Sequence, residues 1–328
     1  MLRDLLALLR CPACHGTNLA LRDERTDERE VRGGLLVCGS CAARYAIQDG
    51  VVELLSGLGS EARQERQVRN ARKTRDWAIE RERPYIDDAP GSPWLWPSFA
   101  SNVEQGLAQL ALDGARVLDI GAATCWSTRM LCERGARAVA LDISTGILRD
   151  GEAQFATGVF FDRVAATMEE LPFVDAAFDV VFASATVHHS PRLQHTLAEI
   201  GRVLAPAGRA VLVNEPVLGL LRRPSQFGRE ERELGMSEHI YRLWDYTSAA
   251  RAAGLQPQIL FPAALDRWLR GEIPGADTRW MRLARHFPVF YQRRPWLARW
   301  FQRCSLLPGH ILFGLTLALL AEKQKPEV

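Results

Sequence analysis

The chain has 328 residues, 47% of them hydrophobic and 24% charged, which is enough for two domains with well-buried cores. Its net charge of +2 at pH 7 says little about partners, because the charge is unevenly spread along the sequence. No apolar run reaches the about twenty residues that a transmembrane helix needs. The nearest candidate, 311–321, is too short, and the apolar opening at 5–9 is too short and too close to Asp4 and Cys11 for a signal peptide.

Cysteines organise the N-terminal end. Cys11-Pro12-Ala13-Cys14 and Cys38-Gly39-Ser40-Cys41 are two Cys-x2-Cys knuckles separated by a hairpin-length stretch, the spacing of a zinc ribbon. Four thiolates close a tetrahedral coordination sphere, so the expected Zn2+ is structural and substitutes for the core that so short a segment could barely build. Paired knuckles without a secretion signal favour metal over disulfides, and a reducing, cytoplasmic location. Cys125, Cys132 and Cys304 have no partner by spacing and are expected to pack in the core. The surrounding text, Leu9-Arg10-Cys11-Pro12 and then 44–51, resembles the zinc-ribbon activator that partners tRNA, rRNA and release-factor methyltransferases. The ribbon domain is placed at 1–56.

Residues 57–98 follow as a linker and lid segment. Within it, 60–83 carries eight basic and five acidic residues and reads as a solvated helix. Pro84, Pro90, Pro93 and Pro97, interleaved with Tyr85, Trp94 and Trp96, then break regularity.

The most informative stretch is 116–143. An apolar run Val117-Leu118-Asp119-Ile120 meets a small-residue turn, Gly121-Ala122-Ala123-Thr124-Cys125, then a helix-like segment and a second apolar run closing on Asp142. A strand, tight turn, helix and second strand ending in an acid suit a nucleoside cofactor: small residues admit backbone N–H groups to the ligand, and a carboxylate about 20 residues on reaches both ribose hydroxyls. A nicotinamide dinucleotide requires Gly-x-Gly-x-x-Gly, and Gly121-x-Ala123-x-x-Trp126 fails that pattern. Three later segments complete the picture: Met168-Glu169-Glu170-Leu171-Pro172-Phe173 before the apolar run 178–182, the helical 197–204 with Pro206 and Gly208 after it, and Ala210-Val211-Leu212-Val213-Asn214-Glu215. In this order the segments resemble the class I S-adenosylmethionine-dependent methyltransferases, in particular the type 11 group.

That resemblance implies an α/β architecture, a Rossmann-like seven-stranded sheet over 99–328, preceded here by the ribbon. It places S-adenosyl-L-methionine on Asp119, Gly121, Ala123, Asp142, Ile143, Thr167, Met168 and Ser184. Two glycines of the family's Asp-x-Gly-x-Gly-x-Gly motif are replaced, by Ala123, tolerated at negative φ, and by Cys125, expected to point away from the cofactor. Thr167 stands where the family has an adenine-binding aspartate. Methyl transfer is an in-line displacement that needs alignment, and a base only where the acceptor carries a proton. His188 and His189, just after the fourth strand, and Glu215, ending the fifth, are the candidate catalytic groups. Trp94, Trp96, His239 and Tyr241 are candidates for the acceptor pocket.

The sixth strand is expected at 255–261 and the seventh at 311–321. The intervening insertion, 262–310, holds nine arginines against Asp266, Glu272 and Asp277, with Trp268, Trp280, Trp296 and Trp300. It reads as an amphipathic helical cap whose tryptophans pack on the core, or as a surface for an anionic or amphiphilic small molecule, an acyl-carrier partner, RNA or an anionic membrane. The favoured function is methylation of a small molecule or natural-product intermediate. An RNA methyltransferase and a catalytically inactive scaffold of the same fold are the alternatives, and the sequence is silent on oligomeric state.

Overall fold

The computed structural model describes residues 1–71, 95–221, 238–274 and 295–324. Four short strands open the chain: β1 (Leu19–Thr26), β2 (Val31–Cys38), β3 (Arg44–Gln48) and β4 (Val51–Glu53), an antiparallel meander. Seven more follow: β5 (Arg116–Ile120), β6 (Arg137–Asp142), β7 (Asp162–Ala165), β8 (Phe178–Ser184), β9 (Leu204–Glu215), β10 (Leu255–Ile259) and β11 (Leu317–Lys323). All belong to one eleven-stranded sheet ordered β1-β2-β3-β4-β7-β6-β5-β8-β9-β11-β10.

The central strands are parallel and covered on both faces, which explains why Val117, Leu118 and Ile120 form an unbroken buried run where a half-exposed strand would alternate. The edge strand β10 does alternate, Leu255 inward and Gln256 and Gln258 outward, and tolerates Pro257 at the sheet margin. Helices α1 (Ser60–Ala71), α2 (Leu95–Leu107), α3 (Trp126–Cys132), α4 (Thr145–Asp150), α5 (Leu193–Val203), α6 (Leu243–Ala252), α7 (Ala263–Leu269) and α8 (Pro295–Pro308) lie on the sheet or at its ends. Leu193, Leu197 and Ile200, at helical spacing, turn the apolar stripe of α5 into the core.

The ribbon does not fold apart from the rest. Its last strand β4 pairs in parallel with β7, Val52 opposite Val164, so the cysteine domain continues the main sheet. Leu5, Leu36, Ile47 and Val52 share one buried core with Leu118, Leu141, Val164 and Phe173. At this seam the fully buried Arg163 donates to Glu30 at 2.7 Å and to the Asp49 carbonyl at 2.9 Å, and Glu30 also pairs with Arg32 and with the Met1 amino group. A buried charge held this way costs little only while every partner stays in place.

Three expectations are revised. The helix α1 is not simply solvated, because Glu65 and Arg69 are buried against the rest of the molecule. The seventh strand starts at Leu317: residues 309–313 form a wide helical turn that Gly314 ends at φ 62°. On α8, Trp296 and Trp300 are 59% and 58% exposed, so these tryptophans do not pack on the core, and Cys304 is exposed too. Trp94 and Trp280 lie outside the described residues. No helix among those described is long and apolar enough to cross a membrane.

Candidate functional site

A cavity of about 440 Å3 opens at the carboxyl ends of β5, β6 and β7. Its floor is Gly121, Leu141, Asp142 and Ile143, one wall is Ala166 to Glu169, and Thr186 with His189 to Arg192 forms another. The roof is α1 and the residues just before it, including Glu61, Glu65 and Arg69. Ligands of open α/β sheets bind at this edge, where strand order reverses.

Gly121 sits at φ 68°, and a Cβ there would lie 2.0 Å from Thr186 Oγ1, so only glycine fits between this turn and the turn that follows β8. Ala123 and Cys125 also adopt left-handed φ, 47° and 60°. This corrects the expectation of a negative φ at Ala123: the turn keeps the shape that glycine would favour, and the side chains bear the strain. The Cys125 thiol is buried and turned toward Gly151 rather than the cavity. Replacing Ala123→Gly removes a Cβ from a strained backbone and is expected to raise stability by about 0.5–1 kcal/mol after the added chain entropy is offset. Thermal unfolding tests this, and a lowered midpoint would refute it.

The Asp142 carboxylate is 2% exposed and receives the Ala123 N–H at 3.2 Å and the Ser144 N–H at 2.9 Å, which fixes it at the cavity floor. Asp119 points elsewhere. Its carboxylate accepts from Ser127 Oγ at 2.7 Å and Thr128 Oγ1 at 2.6 Å, and burial pushes its pKa up to about 7 against those two bonds. It therefore shapes the start of α3 and does not line the cavity. Ile143, Thr167 and Met168 line it, whereas Ser184 bonds Asn214 at 3.2 Å, outside the lining. Trp96 meets Trp126 edge to face at 5.6 Å, again away from the cavity.

Glu215 is fully buried and serves the turn after β8. Its Oε1 accepts the N–H groups of Thr186 and Val187 at 2.9 and 3.0 Å, and its Oε2 takes the His188 N–H at 3.1 Å and His188 Nδ1 at 2.8 Å. Burial works against a charged imidazole, yet the Glu215 bond and the charges of Glu215 and Glu238 outweigh it and hold the His188 pKa above the ordinary histidine value. His189 faces the cavity, with Glu65 and Glu238 beside its Nδ1. Tyr241 donates to the Ser190 carbonyl at 2.5 Å, and His239 Nε2 lies 3.0 Å from Glu61 on α1, so both brace the wall and roof.

The sequence places a lid within 57–98 at its later aromatics, and reads the part that forms this roof as a solvated helix. Glu65 and Arg69, paired at 2.9 Å, read as one more surface ion pair four residues apart on a helix. Asn70 ties α1 down by accepting from Ser144 Oγ at 2.7 Å and the Gly146 N–H at 3.1 Å.

In the ribbon, the Sγ atoms of Cys11 and Cys41 are 3.7 Å apart, and those of Cys14 and Cys38 are 3.6 Å apart. All four thiols are free and converge within 4.8 Å. Disulfide sulfurs would be at about 2.05 Å, whereas thiolates on a tetrahedral ion with bonds of about 2.3 Å stand roughly 3.8 Å apart. The arrangement fits a four-coordinate metal.

Comparison with known proteins agrees with this division. The sequence model of the family described as "Methyltransferase domain" matches residues 118–212, and that described as "Trm112p-like protein" matches residues 3–50. A demethylmenaquinone methyltransferase of Clavibacter sepedonicus is 37% identical over 40% of this chain and 53% of its own. A 27-O-demethylrifamycin SV methyltransferase of Amycolatopsis mediterranei is 32% identical over 44% of this chain and 55% of its own. The biotin biosynthesis bifunctional protein BioHC of Cellvibrio japonicus is 38% identical over 31% of this chain and 20% of its own. The chain thus spans about half the length, or less, of these curated relatives. The two matched segments coincide with the four-cysteine ribbon and with the parallel strands beneath the cavity, so the chain resembles a Trm112p-like domain followed by a methyltransferase domain.

Proposed function

We propose that the protein transfers a methyl group from S-adenosyl-L-methionine to a small organic acceptor, and that its four cysteines hold a structural Zn2+. The observation that carries the reading is the Asp142 carboxylate, fixed by two backbone N–H groups at the floor of a nucleoside-sized cavity. A carboxylate in that position accepts bonds from both ribose hydroxyls. Ile143, Thr167 and Met168 would contact the base, and the close approach at Gly121 leaves room for the amino-acid portion. When bound, the donor supplies an electrophilic methyl on a good leaving group. The chain's own contribution is to hold the donor against Asp142, exclude water beneath α1, and present the acceptor along the turn containing His188 and His189. A small acceptor is supported by relatives named for menaquinone and rifamycin precursors. Unoxidised knuckle cysteines suit a reducing compartment such as the cytoplasm.

Titration calorimetry with S-adenosylmethionine and S-adenosylhomocysteine tests the donor site. Binding is expected, and Asp142→Ala should weaken it by about 1–3 kcal/mol, the range for lost charge-assisted bonds. No binding by the folded, metal-loaded protein would sink the enzyme reading, and methyl label recovered in RNA but not in extractable small molecules would overturn the acceptor class.

A further inference from the structure

His188 and His189 lie on one short helical turn, Val187–His189, with ring centroids 4.3 Å apart. Because His188 Nδ1 is engaged by Glu215, its Nε2 is the atom directed at Glu238, whose Oε2 is 3.5 Å away. The other Glu238 oxygen, Oε1, is 3.6 Å from His189 Nδ1. These donors converge within 4.8 Å, and each of the three side chains is less than a tenth exposed. Charge-assisted hydrogen bonds close to about 2.7–2.9 Å. The observed separations are wider, and come near the roughly 3.4 Å edge of a tetrahedron with metal–nitrogen and metal–oxygen bonds of about 2.0–2.1 Å.

We propose that His188, His189 and Glu238 form a divalent-metal site, separate from the four cysteines, that takes zinc or an ion of similar ligand preference. Two imidazoles and a carboxylate suit such borderline ions better than magnesium or calcium, which favour all-oxygen sets. Glu215 supplies the second requirement of a metal-binding histidine. It bonds the ring nitrogen opposite the donor, orienting the imidazole and raising its basicity. A further carboxylate oxygen, Glu65 Oε1 on α1, lies 3.7 Å from His189 Nδ1, its charge balanced by the Arg69 guanidinium 2.9 Å away. Three protein ligands leave a coordination position, and His189 lines the cavity, so an acceptor oxygen could occupy it and lose its proton more readily there. This goes beyond the proposed methyl transfer, and its readout is independent of turnover.

The test is metal content of the full-length protein, equilibrated with zinc, passed over a mild chelating resin and measured by mass spectrometry, with a cobalt-substituted sample for spectroscopy. Two ions per chain are expected in the wild type and one in Glu238→Gln. The sulfur-to-cobalt charge-transfer band, which belongs to the cysteines, should stay unchanged in the variant and shows that it remains folded. The weaker visible bands of the nitrogen and oxygen site should disappear. A wild-type protein holding only the thiolate-bound ion overturns the proposal. So does a second ion that survives Glu238→Gln, since it must then be bound elsewhere.

Discussion

Treating the zinc-loaded protein with a strong chelator is expected to unfold the ribbon and to loosen the main sheet beside it, if the four cysteines hold the ion as proposed. Thiolates 3.6 and 3.7 Å apart repel one another once the cation is gone, and the backbone turns of the knuckles and the Cys11 Sγ–Tyr45 hydroxyl contact at 3.1 Å are left to oppose that repulsion. Structural zinc in isolated fingers contributes about 10–16 kcal/mol of apparent binding energy. The shared core with Leu118, Val164 and Phe173 should retain part of the fold, so a loss on the order of 5–10 kcal/mol is expected here. Its reach is the informative part. β4 is the partner of β7, so amides of Asp162–Ala165 should lose protection together with those of β1 to β4. Hydrogen exchange with and without chelator measures both. Unchanged protection in β7 would show that the ribbon's metal does not support the sheet seam.

Glu215→Ala should produce the largest effect of any single substitution near the cavity, about 3–5 kcal/mol of unfolding free energy. Its carboxylate is the common acceptor for three successive backbone N–H groups and the His188 ring, all buried. Removing it leaves those donors unsatisfied in a place water does not readily reach, and each such group costs about 1–3 kcal/mol. Glu215→Gln keeps the shape but sets an amide NH2 against donors on one side, so an intermediate loss is expected. Urea denaturation with both variants decides the matter. A loss below about 1 kcal/mol for the alanine variant would mean that the turn finds other acceptors.

Much of the parallel sheet was legible because its strands are apolar throughout and separated by turn residues at regular intervals. The acid at Asp142 and the glycine at Gly121 announced the edge where the cavity opens for the same reason: each answers a local steric or hydrogen-bonding requirement. What escaped depended on distance. That Glu65 and Arg69 are buried follows from where α1 docks, through Asn70, and periodicity within a polar helix carries no sign of it. The role of Asp119 was missed because a carboxylate ending a strand can turn toward ligand or toward the next helix, and Ser127 and Thr128 decide for the helix. The start of the last strand differs from the expectation because 311–321 is apolar but for Thr316, and the three residues Gly314-Leu315-Thr316, the first of them left-handed, separate its helical turn from its strand. Of the two readings of the insertion, packing on the core does not hold for α8, where Trp296, Arg299, Trp300, Arg303 and Leu307 share one exposed face; residue type alone does not distinguish the two.

The parallel pairing of β4 with β7 has a bearing on how the molecule behaves when scarce. Joined through one polypeptide, the two halves of that seam cannot be separated by dilution, and neither can be produced in excess of the other. Pairing within one chain is independent of protein concentration, so closure of the seam does not depend on cellular abundance. The flank of the parallel sheet is thereby capped by the same chain, and in the folded protein no raw strand edge that would invite pairing with other chains is presented there.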